Sequence, residues 1–125
     1  MNAYFVARKE EKYWSVGSGW GELTEATLYP LAKVLGGPAL DGGHFLGLTT
    51  LLNGMMEVES RHFRIVNIHV DGCLWWNNEW GWGSFEGSAR FSQADRVLFT
   101  CPADPGSTWV PEEYCSWLHN ALGDR

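Results

Sequence analysis

Histidine, carboxylate and cysteine side chains are the groups best able to move protons, hold metals or attack carbonyls, and this sequence gathers few of them. His69 and Asp71 lie two apart, so on a strand they share a face, and Glu57 or Glu59 on a neighbouring strand could stand beside them. Such a set would begin a metal or acid–base site. No third ligand follows at a telling spacing, and polar residues on the wet face of a sheet need no chemical explanation. The other histidines, His44, His62 and His119, are scattered. Cys73, Cys101 and Cys115 are odd in number and fit neither a disulfide framework nor a zinc pair. Cys73, in Gly-Cys-Leu-Trp-Trp, and Cys101, closing an apolar run, read as small buried hydrophobes. The expectation is reduced cysteines, no catalytic residue, no metal and no cofactor.

Gly17-Ser18-Gly19-Trp20-Gly21 sits between a predicted strand and a predicted helix, where a phosphate loop could lie. A dinucleotide fingerprint needs glycine at position 22, where Glu22 stands, and no Gly-Lys-Ser/Thr follows. A carboxylate there repels phosphate. The segment reads as a plain loop.

The loudest local feature is Trp75-Trp76-Asn77-Asn78-Glu79-Trp80-Gly81-Trp82-Gly83, which holds four of the chain's eight tryptophans. Trp75 and Trp76, adjacent on a strand, must point to opposite faces, whereas Trp80 and Trp82 share one if the strand continues. Two readings stay open. The tryptophans form an aromatic surface for a protein, a sugar or another small ligand, or they cover the core at a glycine-loosened turn. Glu57, Glu59, Asp71, Glu79 and Glu86 fall on the same strands and turns. If they share a wet face, they make an acidic rim around an aromatic centre, as a tight binder of a basic protein would use. The candidate partner-binding residues are therefore Trp75, Trp80, Trp82, Glu57, Glu59, Asp71, Glu79 and Glu86.

The elements positioning these residues must come from 125 residues, the usual size of a single domain. Hydrophobic residues at 45% and charged residues at 19% predict a packed core. Nine basic against fifteen acidic side chains leave a net charge of -6, which argues against nucleic acid and anionic membranes as partners. A basic protein fits that charge, although ordinary solubility explains it too. The first fourteen residues lack the apolar centre of a signal peptide, and no run reaches eighteen apolar residues. The cytoplasm is the expected location.

Strands are predicted over 2–7 and 13–16, with a solvated turn between. Leu28, Leu31, Ala32 and Leu35 form a helical stripe, so a helix is expected from Thr24 or Thr27 to Leu35. The later start is preferred because it keeps Pro30 in the first turn. Strands over 45–52, 55–59, 63–70, 73–77, 84–91 and 96–101 compose a β-meander, with Asn53-Gly54 and Asp71-Gly72 as hairpin turns. One face of that meander is predicted apolar and the other wet. Pro111 and the two glutamates after it open a last helix over 111–122. No repeat stands out. The fold class is α+β, an antiparallel meander with two helices packed on it.

The layout resembles the immunity proteins of bacterial polymorphic toxin systems. The resembling pieces are the Leu-rich helix, the strand entry Gly42-Gly43-His44-Phe45-Leu46-Gly47-Leu48, the hairpin around Asp71-Gly72 with Trp75-Trp76, and a final helix carrying Trp117. The resemblance implies a cytosolic inhibitor that covers a toxin's active site, and it transfers no contact residue. The alternative is a small ligand-binding domain or enzyme using the region 75–82 as a pocket.

Overall fold

The computed structural model describes residues 2–35, 42–55, 62–102 and 104–123. The chain begins with β1 (Tyr4–Lys9) and β2 (Lys12–Ser15), then a three-residue loop and β3 (Gly19–Gly21). A 3-10 turn (Leu23–Glu25) leads to β4 (Tyr29–Pro30), α1 (Leu31–Leu35), β5 (His44–Gly47) and α2 (Leu48–Gly54). β1 pairs with β2, β4 and β5, and β2 pairs with β3, all antiparallel.

A second sheet repeats that order. β6 (His62–His69), β7 (Gly72–Asn77) and β8 (Gly81–Gly83) are followed by β9 (Phe91–Ser92), α3 (Gln93–Leu98), β10 (Ser107–Pro111) and α4 (Glu112–Leu122). Here β6 pairs with β7, β9 and β10, and β7 pairs with β8. The fold is α+β, as composition and pattern indicated, but it holds two sheets and four helices among the described residues rather than one meander with two helices. The absence of a repeat, expected from the sequence, is corrected by this doubled order.

Several local expectations also change. Over 45–52 only the start is strand. Leu48, Leu51 and Leu52 are all buried, a spacing of three and four that a helix brings to one face. Asn53-Gly54 closes that helix and is not a hairpin turn. The strand expected over 55–59 lies almost wholly outside the described residues. The stretch 84–91 is a loop until β9 begins, and 96–101 is the second half of α3 followed by irregular chain. That helix begins at a capping box, in which the Ser92 hydroxyl accepts from the Asp95 N–H and the Asp95 carboxylate from the Ser92 N–H. Thr24 and Thr27 start no long helix, because β4 intervenes and Pro30 immediately precedes α1. α4 agrees closely with the predicted final helix.

α2 and α4 lie between the two sheets. Leu48 and Leu52 of α2 pack with Val66, Ile68, Cys73, Trp75 and Val110 of the second sheet, and Cys115 and Leu118 of α4 complete the cluster. Leu51 turns to Val6, Leu23 and Ala26 of the first half, where Tyr114 and Trp117 of α4 also reach. The outer face of the second sheet is not the wet face expected. Phe63, Ile65, Phe91 and Trp109 are buried there, with Trp76, Trp82 and Phe99 against them. Among the described residues no helix is long and apolar enough to cross a membrane.

Candidate binding face

Strand alternation decides the fate of the tryptophans. Trp75 points inward, is fully buried, and packs against Phe85 with ring centroids 4.8 Å apart. Its place on a binding face is therefore corrected: it is a core residue. Trp76 points outward and meets Trp82 across the hairpin, edge to face, at 5.3 Å and 77°. The Trp76 indole N–H donates to Asn78 Oδ1 at 2.9 Å, and that of Trp82 to Asp104 Oδ2 at 3.0 Å. Both rings are half-buried and saturated in their polar contacts. Trp80 differs. It stands at the tip of the β7–β8 loop with 77% of its surface exposed.

The loop beneath Trp80 is braced from two sides. The Asn77 carboxamide accepts the Glu79 N–H at 2.7 Å and donates to the Gly87 carbonyl. The Ala89 N–H donates to the Trp76 carbonyl at 2.8 Å. Arg64, whose side chain is 13% exposed, donates to the carbonyls of Phe85 and Ser88 and to the Ser88 hydroxyl, while its guanidinium lies 4.7 Å from the Phe85 ring. The same guanidinium binds Glu112 through two hydrogen bonds, of 2.8 and 3.1 Å. Partial burial pushes the Glu112 carboxyl upward, but the hydrogen bonds and charge of Arg64, with Arg90 and His62 nearby, outweigh it and hold the group below the ordinary carboxylate value. The segment 84–90 is thus tied to β6 and α4.

The remaining predicted residues divide. Glu79 and Glu86 are exposed, one on the Trp80 loop and one on the braced segment, so both belong to this end of the sheet. Asp71 is exposed at the opposite end of β7, about 20 Å away at the usual strand rise, and does not join their rim. It stands 3.7 Å from His69 Nδ1 in the open. Glu57 and Glu59 lie outside the described residues. Of the segment 17–21 expected as a plain loop, only Gly17 and Ser18 are loop, and Gly19–Gly21 form β3, paired with β2.

Sequence reasoning missed the residues of α3 and the segment after it. Val97 and Leu98 are 76% and 85% exposed. Leu98 borders a shallow recess of about 370 Å3 whose walls include Asn78, Arg90, Asp95 and Phe99, which joins α3 to the hairpin end below Trp80. The available signal was Ser92 with Asp95 three residues on, a capping pair that falls between the strands expected over 84–91 and 96–101. Among the described residues no three His, Cys, Asp or Glu side chains come together as a metal-holding group. No disulfide joins the cysteines, and burial pushes the Cys101 and Cys115 thiols up, away from the reactive thiolate. No protein-family model, curated protein or solved structure matches the chain.

Proposed function

We propose that this chain is a binding protein of immunity type, which inhibits a basic toxin domain by covering its active site. Trp80 is the anchor, Val97 and Leu98 widen the apolar centre, and Glu79 and Glu86 supply the acidic rim. The observation that carries the reading is the exposure of Trp80 on a loop tied by the Asn77 side chain to Glu79 and Gly87. An indole left in water contributes little to folding, and a braced loop loses little entropy when a partner packs on it. The net charge of -6 suits a basic partner. The layout resemblance supplies the toxin as the kind of partner.

The test is to purify the products of the genes neighbouring this chain's own and measure association and dissociation of each with this protein by surface plasmon resonance. Trp80→Ser is expected to raise the dissociation rate about 30-fold, the equivalent of about 2 kcal/mol. Absence of any binding, or wild-type kinetics for folded Trp80→Ser and Leu98→Ser, would reject the reading.

A further inference from the structure

The doubled element order extends to the register of every strand pair. Arg8 opposite Tyr13 and Lys9 opposite Lys12 answer to Val66 opposite Trp75 and Asn67 opposite Leu74. Phe5 opposite Tyr29 answers to Phe63 opposite Phe91. The four pairs joining β1 to β5 answer to four joining β6 to β10, from Phe5–Gly47 and Phe63–Pro111 to Arg8–His44 and Val66–Thr108. Trp14 faces Trp20 as Trp76 faces Trp82. Counterparts stand 58 apart in the long central strands and 62 apart after the first hairpin, because the β6–β7 hairpin is longer by two residue pairs, and 64 apart from Gly42 and Gly106 onward.

Details that no shared topology requires are shared too. The Thr27 N–H donates to the Trp14 carbonyl at 3.0 Å and the Ala89 N–H to the Trp76 carbonyl at 2.8 Å, both 62 apart. Trp14 and Trp20 sit edge to face with centroids at 5.3 Å, as Trp76 and Trp82 do. Tyr29 and Phe45 make the T-shaped contact that Phe91 and Trp109 make. Gly19 and Gly81 have φ of 77° and 80°, and Gly42 and Gly106, each just before the strand that pairs with the central one, 76° and 85°. These are left-handed conformations that favour glycine.

The contact between the halves is reciprocal. Position 53 of α2 and position 117 of α4 are counterparts, 64 apart, and each bonds across to the other half. Asn53 Oδ1 accepts from the Thr108 hydroxyl, and the Trp117 indole N–H donates to the Ala26 carbonyl at 3.1 Å. Leu51 and Cys115, also counterparts, are both buried between the sheets.

We infer that the chain is a tandem duplication of one unit of about 60 residues, and that the inner face of each unit is an interaction surface whose partner is a second copy of the unit. A two-fold dimer buries the same patch on both members, so a residue and its counterpart reach across in turn. Here the two members are fused. The side chain of Tyr4 in β1 and Gly123 after α4 also reach one turn of the second sheet. The Gly123 carbonyl accepts from the Cys73 N–H and the Tyr4 hydroxyl donates to the Val70 carbonyl, on either side of the β6–β7 turn. Joining the two ends through a short linker is therefore expected to exchange the order of the units without moving either.

The experiment is a circular permutant of the full chain, opened between Val58 and Glu59, with Arg125 joined to Met1 through three or six glycines. Both units stay whole. A monomer with parental circular dichroism, melting within about 5 °C of the parent, is expected for at least one join. A control opened between Asn78 and Glu79 divides the second unit and is expected to melt at least about 10 °C lower. The inference is overturned if neither join gives a folded monomer, or if the two openings destabilise equally.

Discussion

Arg64 and Glu112 meet at 2.8 Å in the second half of the chain at the positions where the first half has Val6 and Leu48, both fully buried. The surroundings change in step, since Leu23 and Ala26 near Val6 become Phe85 and Ser88 around Arg64. One frame thus holds two buried apolar side chains once and an ion pair once. Removing one partner of a largely buried ion pair leaves the other charge without compensation. Arg64→Val and Glu112→Leu are each expected to cost about 3 kcal/mol in urea denaturation. The double variant, which copies the first half, should lose far less than the two added together. Additive losses would show that the pair is not coupled.

The same carboxylate sets an acid limit. The folded form holds Glu112 below its ordinary value of 4.5, so its share of stability is complete above that value and disappears as pH falls through the lower folded one. Melting temperature is expected to stay level from pH 7 to about 5 and to drop below about pH 4, less steeply in the Arg64→Val, Glu112→Leu double variant. Parallel acid profiles for parent and double variant would assign the drop to other carboxylates.

Trp75 and Trp80 should separate stability from binding. Trp75→Ala removes a fully buried ring and is expected to cost about 3–5 kcal/mol by chemical denaturation. Trp80→Ser should change stability by less than about 0.5 kcal/mol, since the first hairpin folds with Ser18 at the counterpart position. Comparable losses for both would mean that Trp80 packs against the body of the protein.

Charge should act by location. Glu79→Gln is expected to slow association with a basic partner at low salt and to do nothing at about 0.5 M salt, where screening is strong. Asp71→Asn, at the far end of the hairpin, should leave the rates unchanged at every salt. Equal effects of the two substitutions would indicate steering by the whole molecule and not by a rim.

Cys115 is buried, and burial with the nearby Glu112 raises its thiol above the ordinary value. Native protein treated with a thiol reagent at pH 8 is expected to leave Cys73 and Cys115 unmodified, and denaturant to expose both. Rapid labelling of Cys115 in the native protein would contradict its placement.

What the sequence revealed depended on how singular each local signal was. β6 and β7 were legible because Val66 and Ile68 alternate with Asn67, and adjacent Trp75 and Trp76 must diverge. α4 was legible from Pro111, two glutamates and an apolar stripe. α2 was misread because its Thr49-Thr50 pair favours strand and Asn53-Gly54 favours a hairpin, while burial between two sheets favours helix. The repeat was hidden because inner-face counterparts changed chemical type, as Val6 and Arg64 did, leaving Gly-Trp-Gly as a short shared string. Of the proposed binding face, Trp80, Glu79 and Glu86 could be named from the sequence, and all three are exposed. Val97 and Leu98 were not, because an exposed aliphatic side chain on a helix leaves the same trace as a buried one on a strand.

The placement of α2 and α4 between the sheets bears on how the chain is made. While the ribosome has delivered only the first half, Leu48 and Leu52 lack the Val66, Val110 and Leu118 surfaces that later enclose them. At about 5–20 residues per second, that half waits several seconds with its inner face in water. Folding then has to finish in one late step, when α4 leaves the exit tunnel, and a stalled or truncated chain presents its apolar side to chaperones and proteases.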